Sequence, residues 1–572
     1  MMFDLELEHT QENAGLLLQG MWYSELPDIL CIDKRKVKIL NVLENMCWQD
    51  ETDNFKFEND FITEIKNIFS PPYLRKPGVE TIVFYDYKNN GTLREMQMPN
   101  LLLYFAFIYN TLFVYEDVFC KLYLEEDNKD LIKFSNSYLL FEKTFNIDSP
   151  YGDEDIEVIE GVFADKNNKI SSSIMFNNNK ERYLKTCENY LYKMKLDIES
   201  FFPNLYTHYF EKIINKNPYS NLNMPSEYFT FLDTFHQRIN NNQTKGIPAG
   251  VFSSHIAAEL CMISVDYEIN KKISENNLDI SYIRYVDDLT FFSNSKENLN
   301  ELKYQVQKIL NDFRLRINGN KTEIQECIND YSRSNRLRLF NLLPWLNSTT
   351  EEVVEFGLDH LEQLKMFVHI CRNEHNNSQI KSCLTILRKR IEDSKIHINR
   401  EYDLFMYLIQ LSQTENILAC HAYKLINTLI ENTDNKDVFI SKLEDISNRI
   451  NSVFSDTVLQ IWHYYVLYTH YNDSQINNAI AHLSHNNDNP IILSLLVKDG
   501  KKENQELLSY IITKYEDSIV EETRNKNDWK KDILFSKWWL PIFLIAEKDS
   551  HNYYNWIKSN SFPKLLKDLF VD

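Results

Sequence analysis

Three aspartates stand at positions where their carboxylates could act together. Asp197 ends the apolar run YKMKLD, and the adjacent pair Asp287 and Asp288 lies within YVDDLTFF, between two apolar runs of β type. Most Asp-Asp pairs are solvated turn residues, but burying two carboxylates between apolar strands is costly unless a cation neutralises them. Magnesium takes hard oxygen ligands, and two ions ~3.5–4 Å apart can clamp the attacking and leaving oxygens of a phosphoryl transfer. The three aspartates therefore predict a two-metal site.

The segments around these aspartates alternate strand and helix patterns. Strands are predicted over 80–87 and 192–198, and as two runs around a tight acidic turn over 280–293. Helices are predicted over 251–269 and 297–313, where apolar residues recur at three- and four-residue spacing. Strand, helix, hairpin and helix in that order, with acids at the strand ends, predict an α+β domain.

The chain changes character after residue 330. Of its 11 glycines, only Gly357 and Gly500 lie in residues 331–572. At 572 residues the chain is long enough for two or three domains. We predict an α+β catalytic domain over 1–330 and an all-helical, HEAT-like domain over 331–572, although no repeat of fixed period is visible. The amphipathic segments behind the second prediction are 358–370, 379–392, 402–411, 417–430, 458–470 and 503–515.

The net charge of -21 is unusual for a protein that handles nucleic acid. Residues 1–330 carry 34 Lys and Arg against 51 Asp and Glu, so the excess of acid lies in the half assigned to catalysis. One stretch, Asp148 to Glu160, has six acids and no base, and is read first as a solvated loop. Proteins that hold a duplex usually neutralise its phosphates with a basic surface. The excess of acidic over basic residues therefore argues against tight binding of a long template–primer duplex.

Cysteine usage and the N-terminus predict a cytoplasmic protein. The sequence has nine scattered cysteines, without a C-x-x-C pair or a Cys/His cluster, which indicates reduced thiols and excludes a zinc site and a disulfide framework. The N-terminal segment MMFDLELEHTQENAGLLLQG lacks the basic-then-apolar order of a signal peptide. No apolar run approaches the ~20 residues of a membrane span, so no membrane association is expected.

Five motifs resemble those of reverse transcriptases, and they occur in the order of that family. YVDD resembles the Y-x-D-D box and KLDIESFF the first palm motif. GIPAG (246–250) is similar to the G-[IL]-P-Q-G segment, INGNKTEI (317–324) to the later Asn-x-x-Lys motif, and LREMQMP (93–99) to the fingers pattern Arg-x-x-x-x-Pro. The resemblance makes residues 1–330 a fingers-and-palm domain and puts the helical half in place of a thumb. It also implies dNTP substrates.

For the metal site, the resemblance assigns roles to four residues. Asp197 and Asp287 would ligate two Mg²⁺ ions, with Mn²⁺ as a possible substitute, and Asp288 would support the site. Lys321 would lie near the leaving pyrophosphate, where a cation offsets developing charge.

For the nucleotide, the resemblance assigns five further positions. Phe202 would be the steric gate that excludes a 2′-OH, although a core phenylalanine beside Phe201 is the alternative reading. Arg94 would contact the triphosphate through its fork of donors, or be an ordinary surface arginine. Gly246 and Gly250 would let the backbone approach the nucleotide. Ala249 departs from the pattern, because the family usually has a glutamine there and the alanine removes a polar contact.

Three longer stretches resemble a narrower group, the bacterial abortive-infection and defence-associated reverse transcriptases of the AbiK type. They are 97–110, 195–208 and 245–262. This resemblance implies untemplated DNA synthesis primed by a tyrosine hydroxyl, in anti-phage defence. It also implies single-stranded DNA that stays covalently attached to the protein, and a homo-oligomer, either a trimer or a hexamer.

The priming tyrosine and two rival functions remain open from sequence. Among the 33 tyrosines, Tyr23, Tyr73, Tyr85 and Tyr87 lie in the N-terminal part, but packing is the more common role for each, and the primer stays unassigned. The first rival is a conventional templated RNA-dependent DNA polymerase that uses a cellular RNA. The second is a non-catalytic scaffold or sensor with a relic palm, which the presence of all three aspartates disfavours.

Overall fold

The computed structural model gives the architecture of most of the chain. It describes residues 14–15, 17–31, 79–114, 118–119, 122, 143–147, 156–160, 163–164, 170–171, 182–329, 334–347, 353–481, 489–498, 502–522 and 536–548. Most of the acidic stretch that begins at Asp148, and Tyr73, lie outside these residues.

Small antiparallel pairs and one long helix precede the central sheet. β1 (Ile82–Tyr87) and β2 (Leu93–Met98) form a hairpin, and α1 (Leu101–Phe113) follows it. The Asn100 side chain accepts a hydrogen bond from the Leu102 amide at 3.0 Å, which caps this helix. The remaining pairs are β3 (Lys143–Ile147) with β4 (Ile156–Glu160), and β5 (Phe163–Ala164) with β6 (Ile170–Ser171).

The central sheet has four antiparallel strands in the order β10-β7-β9-β8. These are β7 (Tyr192–Asp197), β8 (Ile280–Tyr285), β9 (Asp288–Ser293) and β10 (Glu323–Glu326). The strands predicted over 192–198 and 280–293 are thereby confirmed, as is the strand over 80–87. The helices of this region are α2 (Phe201–Asn204), α3 (His208–Ile213), α4 (Tyr219–Leu222), α5 (Ser226–Ile239), α6 (Phe252–Glu275) and α7 (Lys296–Asp312).

Both faces of the sheet are covered, because side chains on successive strand residues point to opposite faces. On one face Tyr282 and Phe291 stack at 4.6 Å between ring centroids, within the main core. On the other face, Phe292 packs with Ile283 and Cys187 in a second, smaller cluster. This burial explains why the strands around the acidic turn are rich in apolar residues on both faces.

The second half is mainly helical, as predicted. The described helices are α8 (Ser334–Leu342), α9 (Leu358–Asn373), α10 (Asn377–Glu392), α11 (Glu401–Thr414), α12 (Ala419–Asn432), α13 (Lys436–Val453), α14 (Val458–His470), α15 (Asp473–Ala481), α16 (Pro490–Leu495), α17 (Lys502–Glu522) and α18 (Trp539–Lys548). Alternate helices contact each other in a row formed by α10, α12, α14, α16 and α18, and helices α9, α11 and α13 each pack on the next member of that row. None of the described helices combines the length and apolarity needed to cross a bilayer.

The prediction of an all-helical second half is wrong in one detail. β11 (Val354–Phe356) pairs in parallel with β12 (Ile396–Ile398). Each strand has three residues and ends within a few residues of the start of a helix. Phe356, on β11, is fully buried. Segments this short leave no periodicity in the sequence, so the pair could not be anticipated.

Among the described residues, hydrogen bonds join the helical half to the N-terminal part of the chain at three places. The Tyr85 amide on β1 donates to the Asp456 carbonyl at 2.8 Å. The Trp462 indole N–H on α14 donates to the Glu25 carbonyl at 2.6 Å. Asn377 at the start of α10 donates to Asn89 in the β1–β2 turn at 3.3 Å. The helical half therefore lies directly against the β1–β2 hairpin.

Replacing the Trp462 indole tests this attachment. Trp462→Phe keeps a ring but leaves the Glu25 carbonyl without its donor, at a cost of about 1–3 kcal/mol. We expect faster amide hydrogen exchange in residues 24–31, measured by mass spectrometry. Trp345→Phe is the control, because the Trp345 indole donates to Gln363 at 2.9 Å within the helical half. Equal exchange in the two variants would contradict the role of Trp462 in joining the halves.

Candidate active site

The register of the central sheet brings two of the three predicted aspartates, Asp197 and Asp288, together. Asp197, the last residue of β7, pairs directly with Asp288, the first residue of β9. Residues directly opposite on antiparallel strands share one face, with Cβ atoms about 4.5–5.5 Å apart. Like charges at such positions are destabilising. The sheet therefore holds two carboxylates side by side at one end.

A two-residue turn adds the third carboxylate. Tyr285 pairs with Asp288, so only Val286 and Asp287 connect β8 to β9. Val286 has φ 53°, in the left-handed region that a β-branched residue rarely occupies. A positive φ at the first turn residue suits the twist of a two-residue hairpin, but for valine it costs about 1–3 kcal/mol. Asp287 is half-buried at the tip of this strained turn.

The electrostatics of the three aspartates favour a bound cation. Burial raises the pKa of Asp287 to about 6, with further contributions from the charges of Asp288 and Asp197, while Lys321 acts in the opposite direction. Burial and the charge of Asp197 also raise the pKa of Asp288. A divalent ion would remove the repulsion that causes part of these shifts.

Asp197 is held by the segment that resembles the Asn-x-x-Lys motif. The Lys321 ammonium lies 3.0 Å from Asp197 Oδ1, and the Asn318 amide group donates to Asp197 Oδ2 at 3.0 Å. The Asn318 backbone N–H also donates to the Asp197 carbonyl at 2.8 Å. Sequence reasoning gave Asn318 no role, although it is the first residue of that motif. The structure places it as a direct partner of a predicted metal ligand.

The donor set suits magnesium, since it consists of carboxylates carried at one end of a rigid sheet. Within the described ranges, no three His, Cys, Asp or Glu side chains are already arranged as a metal site. Lys321 and Asn318 each engage one oxygen of Asp197. Asp197, Asp287 and Asp288 are the residues that would hold the ions, with Lys321 as the neighbouring cation.

Phe202 and Gly246 lie on adjacent segments. The Ile247 N–H donates to the Phe202 carbonyl at 3.0 Å. The Phe202 ring is half-buried and packs edge-on against His255, with 5.3 Å between centroids. Gly246 has φ +87°, and a Cβ there would lie 3.1 Å from the Pro203 carbonyl oxygen. Close packing against Pro203 is thus a reason for glycine at 246 that does not involve a nucleotide.

Ala249 and Gly250 are linked to the β1–β2 hairpin through Tyr23. The Tyr23 hydroxyl lies 2.7 Å from the Gln97 carbonyl oxygen and 3.0 Å from that of Ala249. A Cβ at Gly250 would lie 2.6 Å from the Tyr23 ring, and Gly250 has φ +88°. Burial raises the pKa of the Tyr23 hydroxyl well above its ordinary value. Tyr23 therefore acts as a packing residue between two segments predicted to contact the nucleotide.

The remaining candidates lie on the β1–β2 hairpin. Arg94 is exposed on β2 and pairs across the hairpin with Asp86. Its contact with a triphosphate stays a prediction. Tyr85 and Tyr87 are half-buried on β1, and burial raises the pKa of Tyr87.

The raised pKa of Asp287 has a consequence for stability. Its folded-state value of about 6 exceeds the unfolded value of ~3.9. The folded protein then holds more protons between these pH values, so the stability of the metal-free protein falls as pH rises through this window. Asp287→Asn abolishes this loss. We expect the variant to gain about 1–2 kcal/mol over the wild type above pH 7 after allowance for solvent screening, and nothing below pH 4.

Urea unfolding in EDTA between pH 4 and 8 measures this difference. Asp445→Asn, at an exposed position on α13, is the control for removal of a carboxylate elsewhere. A stability difference between Asp287→Asn and the wild type that stays constant over the whole pH range would contradict the assignment.

Comparison with solved structures gives only distant similarities. Structures of telomerase from Candida albicans and Candida tropicalis, in complex with a fragment of telomeric RNA, each share 11% identity with this chain and have a TM-score of 0.29. The match to the Candida albicans protein covers 71% of this chain and 69% of that protein's chain. The match to the Candida tropicalis protein covers 74% of this chain and 70% of that protein's chain. Apo telomerase from Candida tropicalis shares 12% identity, with a TM-score of 0.28 and coverage of 72% and 73%.

Comparison with family models is more informative. Residues 157–353 match the model described as reverse transcriptase (RNA-dependent DNA polymerase). The matched range includes Asp197, Asp287, Asp288 and Lys321, the four charged residues that the sheet brings together. The chain therefore contains a reverse transcriptase domain, which supports a polymerase of that type.

Proposed function

We propose that this protein is a nucleotidyltransferase that polymerises dNTPs at Asp197, Asp287 and Asp288. The observation that carries the proposal is the pairing of Asp197 with Asp288 at the end of the central sheet, beside the turn that presents Asp287. This arrangement lies within the residues that match the reverse transcriptase family.

In this proposal the chain's own residues divide the work of phosphoryl transfer. Asp197 and Asp287 would hold two Mg²⁺ ions, or Mn²⁺ in their place, and Asp288 would add negative charge beside them. When bound, the ions would supply Lewis-acid stabilisation of the attacking and leaving oxygens. Lys321, whose ammonium already lies at Asp197, offsets charge on the departing pyrophosphate.

A second group of residues selects and orients the nucleotide. Phe202 excludes a 2′-OH, with its ring supported by His255 at 5.3 Å between centroids. Arg94 projects from an exposed position on β2 toward solvent, where it can reach a triphosphate. The backbone at Gly246, Ala249 and Gly250 lies along the path by which the nucleotide enters the site.

We further infer that synthesis is untemplated and primed by a tyrosine of the protein itself. One observation supports this over the use of a long duplex. The net charge is -21, which disfavours binding of extended phosphate backbones. The single-stranded product would remain attached to the priming tyrosine.

The biological setting follows from the resemblance to the abortive-infection enzymes. In this setting the protein acts in anti-phage defence, in the cytoplasm, as a homo-oligomer. The helical half is a HEAT-like stack, an inference supported by the row of alternate helices from α10 to α18. Sedimentation velocity tests the oligomer, since a trimer or hexamer is expected and a monomer at micromolar concentration would contradict it.

Incubation of the purified protein with labelled dNTPs and Mg²⁺, without template or primer, tests the proposal. We expect labelled DNA that migrates with the protein on a denaturing gel and is released by protease. Asp287→Asn should reduce the product by at least about 100-fold, because the site loses a metal ligand. Phe202→Ala should keep activity with dNTPs and gain incorporation of NTPs.

Other outcomes separate the rival functions. Synthesis that begins only after addition of RNA and an annealed primer would establish the templated RNA-dependent DNA polymerase and refute protein priming. Absence of product under both conditions, with the wild type and Asp287→Asn indistinguishable, would favour a non-catalytic scaffold.

A further inference from the structure

A buried ionic cluster lies directly beneath the turn that carries Asp287 and Asp288. Its centre is Arg284 on β8, which is fully buried. Two acids from α6 face it: Glu259 is 3% exposed and Asp266 is fully buried. An arginine surrounded by two carboxylates in a protein core needs an explanation, because such clusters add little stability compared with apolar residues of the same volume.

Every N–H group of the Arg284 guanidinium has an acceptor. Nε donates to Asp266 at 2.9 Å, and Nη2 donates to Asp266 at 2.7 Å and to Glu259 at 3.0 Å. Nη1 donates to Glu259 at 2.8 Å and to the backbone carbonyl of Val286 at 3.0 Å. The Tyr282 hydroxyl also bonds to Asp266. Burial alone would lower the pKa of Arg284, but the two carboxylates raise it well above its ordinary value.

The bond to Val286 connects this cluster to the site. Val286 is the first residue of the two-residue turn and has φ 53°. A β-branched residue in the left-handed region persists only where its surroundings hold it there. The guanidinium is rigid and planar, and both acids that fix it project from α6 rather than from the turn. The position of the Val286 carbonyl is thus set by a long buried helix.

We propose that Arg284 is a positioning residue, which holds the Val286 carbonyl and thereby the strained turn that presents Asp287 and Asp288. The inference deepens the proposed function and rests on it for the role of the two aspartates. Arg284 itself touches neither substrate nor metal. Its contribution is the geometry of the turn, which must bring Asp287 to the same point as Asp197.

Arg284→Lys tests the proposal, because a lysine keeps the charge but its three ammonium donors cannot reproduce the five donors of the planar guanidinium, which bond to Glu259, Asp266 and Val286. We expect faster amide exchange in residues 285–289 and about tenfold weaker Mn²⁺ binding, the typical effect of losing a group that orients a metal ligand. Both are measured on the full chain without dNTPs. Arg390→Lys is the matched control, since Arg390 is 4% exposed and lies on α10 in the helical half.

A double variant separates positioning from general support of the core. Adding Val286→Gly to Arg284→Lys removes the side chain that disfavours the left-handed turn. We expect it to recover at least about threefold of the lost Mn²⁺ affinity, about 0.6 kcal/mol. A cluster that only stabilised the core would not respond to this change.

Three results would overturn the proposal. They are unchanged exchange in residues 285–289, equal loss of Mn²⁺ binding in Arg284→Lys and Arg390→Lys, or no recovery in the double variant. If Arg284→Lys does not fold, Glu259→Gln serves instead, because it leaves Arg284 paired with Asp266 at net zero charge. We then expect amide exchange in residues 285–289 to rise and Mn²⁺ affinity to fall, each by less than in Arg284→Lys. These readouts do not require polymerisation, so a failure of the proposed function is recognised separately in the wild type.

Discussion

The repulsion between Asp197 and Asp288 is the constraint on which the site depends. The register of β7 against β9 fixes these like charges opposite each other, and the turn adds Asp287. Burial, and after it the neighbouring carboxylates, raise the pKa values of Asp287 and Asp288, so the ionised arrangement is unfavourable in the absence of a cation. Lys321 and Asn318 offset part of the cost at Asp197. A sheet end built in this way gains most from binding divalent ions.

The surrounding fold keeps the carboxylates in place despite this cost. Both faces of the sheet are buried, with the Tyr282–Phe291 stack on one side and Phe292 on the other. Close packing of this kind resists the small shifts that would separate the charges. Helix α6 adds the ionic cluster beneath the turn. Two of the three aspartates thus lie at the ends of packed strands, and the third lies in the short turn between β8 and β9.

Much of this could be predicted from sequence, because the signals were local. Apolar runs gave the strands that carry Asp197 and Asp288, and three- and four-residue spacing gave the helices of both halves. The pairing of Asp197 with Asp288 could not be derived from periodicity, since it joins strands far apart in the chain. Only the resemblance to a known motif order suggested it. The short pair β11–β12 left no signal at all.

The roles of two further groups of residues could not be predicted from sequence, for a different reason. Arg284 in ISYIRY reads as an ordinary polar residue next to a turn, and Glu259 and Asp266 read as the polar side of a helix. The seven-residue spacing of Glu259 and Asp266 places both acids on one helix face. That spacing is the sequence feature that could have indicated a shared partner. Gly246 and Gly250 were predicted to make room for a nucleotide. In the structure, Pro203 and Tyr23 fill the space on their Cβ side, which sequence spacing could not reveal.

If the three aspartates form one two-ion site, anomalous diffraction at the manganese edge will reveal it in crystals grown with Mn²⁺ and a non-hydrolysable dNTP analogue. We expect two manganese peaks ~3.5–4 Å apart, at Asp197 and Asp287 and next to the triphosphate. Nucleotide bound elsewhere, with no manganese peak at these two aspartates, would show that they do not form such a site.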